Sequence, residues 1–138
     1  MVERSAETEK NVKIRLTTCT EGDSFVNEFC GSCACSGTDC RVFYAEGDGR
    51  TRTALRAFEN RLFVRRSGAV NSRMRFDLRE DTEAFYENGG VETTFKVHTE
   101  SCSMDSAPGK LTLRVAYRLY DAGGFAAPFR LTFEIEEL

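Results

Sequence analysis

Four cysteines fall within eleven residues, Cys30, Cys33, Cys35 and Cys40, while Cys19 and Cys102 stand apart. Thiols at this density raise two chemistries, zinc coordination and redox exchange. Structural zinc needs four converging ligands, usually from two separate knuckles. Here the C-x-x-C and C-x-C spacings overlap on one stretch that reads as a strand. On a strand Cys33 and Cys35 share a face and Cys30 points to the other, so the three converge only if a bulge intervenes. A redox pair would place its C-x-x-C at a helix N-terminus, and no helix is expected there. Buried thiols acting as small hydrophobes are therefore the first reading. A zinc or redox site on Cys30, Cys33, Cys35 and Cys40 is the alternative.

Other catalytic constellations are missing. His98 is the only histidine and falls on the charged face of its strand. There is no G-x-S-x-G, no histidine pair at metal spacing and no phosphate loop. The chain is read as a non-enzyme without a cofactor.

Arginine is the other reactive population. Arg50 to Arg79 holds nine arginines against Glu59 and Asp77, or +7, so a net charge of −3 leaves −10 for the remainder. Such asymmetry can attract an anionic partner, although arginines alternating outward as a solvated face are the first reading. Arg66 is the first candidate for a ligand contact. An arginine on the apolar side of a sheet must be paired, and at a rim it can grip a carboxylate or phosphate while the ligand's tail lies on apolar neighbours. Val64, Met74, Tyr117 and Phe129 are the expected neighbours, with Arg75 a weaker polar candidate because it faces outward. A structural salt bridge is the competing role for Arg66. Nucleic acid is not an expected partner, because the sequence pI is about 5.3 and no aromatic ladder shows between the arginines.

These residues need elements to hold them. The 138 residues suit one domain, which buries roughly two-thirds of its unfolded surface. No apolar run approaches the ~18 residues of a membrane helix. The opening MVERSAETEK is charged and lacks an apolar centre, so no secretory signal is expected and the cytoplasm is the predicted compartment. Residues 1–10 are predicted to be a polar, frayed lead-in and 11–138 a single domain, monomeric or homodimeric.

Period-two alternation runs from Val12 to Ile135, broken by turn residues. In Arg61 to Phe76 a three-residue loop at Ser67-Gly68-Ala69 sets Arg66 opposite Val70, Val64 opposite Ser72 and Leu62 opposite Met74. A two-residue Asn88-Gly89 loop sets Tyr86 opposite Val91 and Thr82 opposite Phe95. A loop at Ala122-Gly123-Gly124 aligns Tyr117 with Phe129, Val115 with Leu131 and Leu113 with Phe133. Eight to ten short antiparallel strands in adjacent hairpins must close or split, since open edges aggregate. The predicted fold is all-β, a closed up-and-down antiparallel barrel.

The run Arg66-Ser67-Gly68-Ala69-Val70, with Arg75-Phe76 after a four-residue gap, resembles the signature of the YwiB-like proteins, an uncharacterised bacterial family. An N-terminal Ile/Leu strand, Gly31 within strand 2, Val42-Phe43-Tyr44 in strand 3 and the closing GKLTLRVAYRLY stretch follow in similar order. The resemblance covers about residues 11–136. It implies a calycin-like barrel, the architecture of lipocalins and fatty-acid-binding proteins, and with it a cavity for a small hydrophobic or anionic ligand. The cysteine cluster departs from the family pattern. A filled barrel that works as an interaction or assembly module is the alternative function, and a cysteine-based zinc or redox site the second.

Overall fold

The computed structural model describes residues 9–138. Most of the expected lead-in lies outside the described residues, and the first strand has begun by Lys10. Ten strands follow: β1 (Lys10–Thr20), β2 (Asp23–Ser36), β3 (Asp39–Ala45), β4 (Arg52–Phe58), β5 (Arg61–Ser67), β6 (Val70–Phe76), β7 (Thr82–Asn88), β8 (Val91–Ala107), β9 (Lys110–Tyr120) and β10 (Ala126–Glu137). Each pairs antiparallel with its chain neighbours, and β10 closes on β1 to complete the barrel. No helix among the described residues is long and apolar enough to cross a membrane.

Alternation is what makes the closure work. In β3 and β4 every second residue is buried, Cys40, Val42 and Tyr44 facing Ala57, Leu55 and Thr53 across the ladder. These inward positions merge with Val12, Ile14, Leu62, Phe76, Val97, Leu113, Val115, Phe133 and Ile135 into one core. Rings occupy the lumen. Tyr117 lies between Phe76 and Phe129, at centroid distances of 4.6 and 5.3 Å, and Phe29 stacks on Tyr44 at 4.5 Å.

The β9–β10 register is the one expected, Tyr117 facing Phe129 and Leu113 facing Phe133. Two other hairpins differ by two residues each. Arg66 faces Ser72, Val64 faces Met74 and Leu62 faces Phe76. The β5–β6 turn is centred on Ala69 in place of Gly68, and Asn71 clasps it, accepting from the Gly68 amide and donating to the Gly68 carbonyl, both at 3.3 Å. In β7–β8, Tyr86 faces Thr93 and Thr82 faces Val97. The turn there is Gly89-Gly90, both at positive φ as a type I′ turn demands, in place of Asn88-Gly89. A slip of two residues leaves every side chain on its expected face.

The reading of the cysteines as reduced thiols is corrected at one pair. Cys35 and Cys40 are directly opposite in the β2–β3 ladder, their Cα atoms 4.1 Å apart, and form a disulfide. The short turn between β2 and β3 brings them face to face. Cys33, Cys19 and Cys102 are half-buried thiols, and Cys30 is an exposed one.

Candidate functional site

Arg66 lies on the inner side of β5, in register with Thr53 of β4, which in turn faces Tyr44 of β3. Glu46 follows β3 directly and turns back toward the same spot. The two side chains meet as a bidentate pair: Arg66 Nε donates to Glu46 Oε2 and Nη2 to Oε1, each at 2.8 Å. Thr53 Oγ1 donates to the same carboxylate at 2.6 Å. Arg66, then Thr53, hold the Glu46 carboxyl below its ordinary range against the cost of partial burial. The position an incoming carboxylate would take at this guanidinium is thus held by the chain's own Glu46.

A glutamate whose folded-state pKa is depressed stabilises the fold above its unfolded pKa and loses that contribution as pH falls through the folded value. Urea midpoints taken from pH ~7 down to pH ~3 are therefore expected to fall more steeply for the native protein than for Glu46→Gln. Parallel curves would remove the pair from the stability of this rim.

The other expected site residues separate into two places. Tyr117 and Phe129 stack in the lumen. Val64 and Met74, opposite each other on β5 and β6, are half-buried and pack on that same core, while Arg75 lines a groove on the outer face. Arg75 faces outward and bonds Glu80 at 3.1 Å, so it does not meet Arg66. His98 is exposed and sits 2.7 Å from Asp81. The disulfide takes Cys35 and Cys40 out of any thiolate set, and Cys33 Sγ lies 3.9 Å from Cys35 Sγ.

The groove, of about 350 Å³, crosses the outside of β3–β7. Its outward residues on β3–β6 fall in two cross-strand rows, the second continued by Phe85 of β7 beyond the groove's lining. Arg41, Arg56, Phe63 and Arg75 form one, each directly opposite the next. Phe43, Ala54, Arg65, Arg73 and Phe85 form the other. Counting all outward positions of β3–β6, Arg41, Arg52, Arg56, Arg61, Arg65, Arg73 and Arg75 stand against a single carboxylate, Asp39, and Glu83 of β7 adds another on the groove's lining. Guanidinium groups already lie on rings here: Arg56 and Arg61 over Phe58, each 4.5 Å from its centroid, and Arg73 over Phe85 at 5.2 Å. Phe58 also stacks on Phe63. The aromatic residues that sequence reading did not find between the arginines are present on the folded surface, contributed by neighbouring strands.

Arg65 and Arg73 form the least favourable contact of the face. They are directly opposite across β5 and β6, where like charges destabilise a ladder. Among the described residues, no carboxylate lies within ion-pair distance of either. The signal for this surface was the outward half of the same alternation that defined the core. It becomes legible only when four registers are laid side by side.

The closed sheet and its single inward-facing core together describe a ten-stranded, calycin-like β-barrel. The chain belongs to the family described as Domain of unknown function (DUF1934), which it matches over residues 10–133, and so to the YwiB-like proteins. Its fold is similar to that in the crystal structure of the ywiB protein from Bacillus subtilis, with a TM-score of 0.78 and 24% sequence identity over 94% of this chain and 93% of that one. No curated protein matches the sequence.

Proposed function

We propose that this protein is a non-catalytic binding module that captures an anionic ligand on the outside of its barrel, across the arginine–phenylalanine face of β3–β6. The observation that carries the reading is the unrelieved Arg65–Arg73 pair at the centre of that face. An anion between the two guanidinium groups turns a repulsion into two charge-assisted contacts, bidentate where a carboxylate or phosphate is offered. The groove beside it supplies Phe43, 46% exposed, as an apolar wall for the rest of an amphipathic ligand. Glu83, on the lining of the same groove, opposes this directly, whereas carboxylates elsewhere on the barrel do so only weakly, because exposed charges more than about 8 Å away are largely screened at physiological salt.

A luminal site for a fatty-acid-like molecule at Arg66 is the weaker reading. Its carboxylate would have to displace Glu46 from a part-buried bidentate pair, and its tail would have to part the Phe76–Tyr117–Phe129 stack.

Heparin chromatography tests the outer site. Despite its net charge of −3, the native protein is expected to be retained at low salt and released by a salt gradient, while Arg65→Glu/Arg73→Glu passes through. Flow-through of the native protein at low salt would refute the proposal.

A further inference from the structure

We infer that the anionic ligand of this face is single-stranded nucleic acid, lying across β3–β7 with its phosphates on Arg65 and Arg73 and a base stacked on Phe43. The inference rests on the outer-face reading above and names its ligand. Four observations carry it.

First, one row holds two charges flanked by rings. Phe43, Ala54, Arg65, Arg73 and Phe85 follow each other across five strands, spaced by the ~4.8 Å of a hydrogen-bonded ladder. A simple polyanion site has no use for the rings. A single strand needs both, since its bases present flat π-faces and its backbone a charge at every nucleotide.

Second, Ala54 makes the row concave. It is the one short side chain between Phe43 and Arg65, and it lies on the floor of the groove. A planar group placed there has a ring on one side and a guanidinium on the other.

Third, the track is longer than a mononucleotide. A second concavity of about 640 Å³ shares Phe43, Ala54 and Arg65 with the first and continues toward Arg52 and Ser67. Contact along both requires several linked nucleotides.

Fourth, the shape suits an unpaired strand. The face is the side wall of a barrel, built from strands of seven residues each, and among the described residues no helix lies on it to enter a duplex groove. Bases must therefore come to the protein already unstacked.

The test is fluorescence anisotropy with labelled twelve-nucleotide oligo(dT) and oligo(rU), a twelve-base-pair duplex, and heparin as competitor. Native protein, Phe43→Ala, Phe43→Leu and Arg65→Ala/Arg73→Ala are compared, each first shown by thermal melting to be folded. The single strands are expected to bind more tightly than the duplex, the ratio of oligo(dT) to oligo(rU) affinity showing whether DNA or RNA is preferred. Phe43→Ala is expected to weaken single-strand binding roughly tenfold and to leave heparin binding unchanged. Phe43→Leu, which stays apolar but loses the ring, should weaken it similarly. The double arginine variant should reduce the slope of log affinity against log salt by about 1.4, the share of two phosphate contacts. Heparin binding without oligonucleotide binding, or oligonucleotide binding indifferent to Phe43, or equal affinity for the duplex, overturns the inference and leaves the outer anion site standing. Binding of neither probe overturns both.

Discussion

The Phe76→Ala variant unfolds with a free energy about 3–5 kcal/mol below that of the native protein, the cost of truncating a fully buried aromatic residue in a packed core. Phe76 is fully buried and lies against Tyr117 at 4.6 Å, and Tyr117 lies against Phe129. Removing its ring leaves a void that these neighbours cannot collapse into without breaking the stack. Urea unfolding with an unchanged m-value checks the prediction, with Phe125→Ala as control. Phe125 is 79% exposed, and its truncation is expected to move stability by no more than about 0.5 kcal/mol. The measurement also bears on function. A lumen kept open for a ligand would tolerate the loss of Phe76, so an effect below roughly 1 kcal/mol would revive the luminal site at Arg66.

Gly31→Ala is the second severe substitution, expected to cost roughly 3 kcal/mol or more. A methyl group at Gly31 would be driven into the carbonyl oxygen of Phe43 and would come within 2.9 Å of the Tyr44 Cβ. Both obstacles are fixed by the β2–β3 ladder, in which Gly31 faces Tyr44. Neither can rotate away, so the strands themselves must part. Gly47→Ala meets no atom within 4 Å and serves as the neutral comparison. Equal stability of the two variants would contradict this close approach. Phe43 belongs to the candidate site, so a Gly31→Ala protein that still folds should also bind single-stranded oligonucleotides poorly.

The barrel itself was open to reading because alternation survives local error. Phe129, Leu131 and Phe133 meet their predicted partners on β9. The β5–β6 and β7–β8 hairpins each slipped by two residues without moving one side chain to the wrong face. Apolar pattern cannot distinguish registers that differ by two. Only turn chemistry can, and there the clasp by Asn71 and the positive φ of Gly90 decided it. The Cys35–Cys40 bond was missed for a related reason, since it depends on one residue's register at the end of β2.

The candidate site was harder to see than the fold. Arg66 was correctly placed inside, but its partner Glu46 lies twenty residues back, in a turn where no periodic argument reaches. The outer face was hidden differently. Phe43, Ala54, Arg65, Arg73 and Phe85 are scattered along the chain and become neighbours only through four successive ladders. Each strand viewed alone offered an ordinary solvated face.

Placing the binding residues on the outward side of strands whose inward side is packed also has an evolutionary consequence. Under the proposed function, successive codons in β3–β6 answer to different selection, one parity to folding and the other to the partner. A lineage can therefore retune what it captures, through substitutions such as Arg to Lys or Phe to Tyr, while the scaffold stays intact.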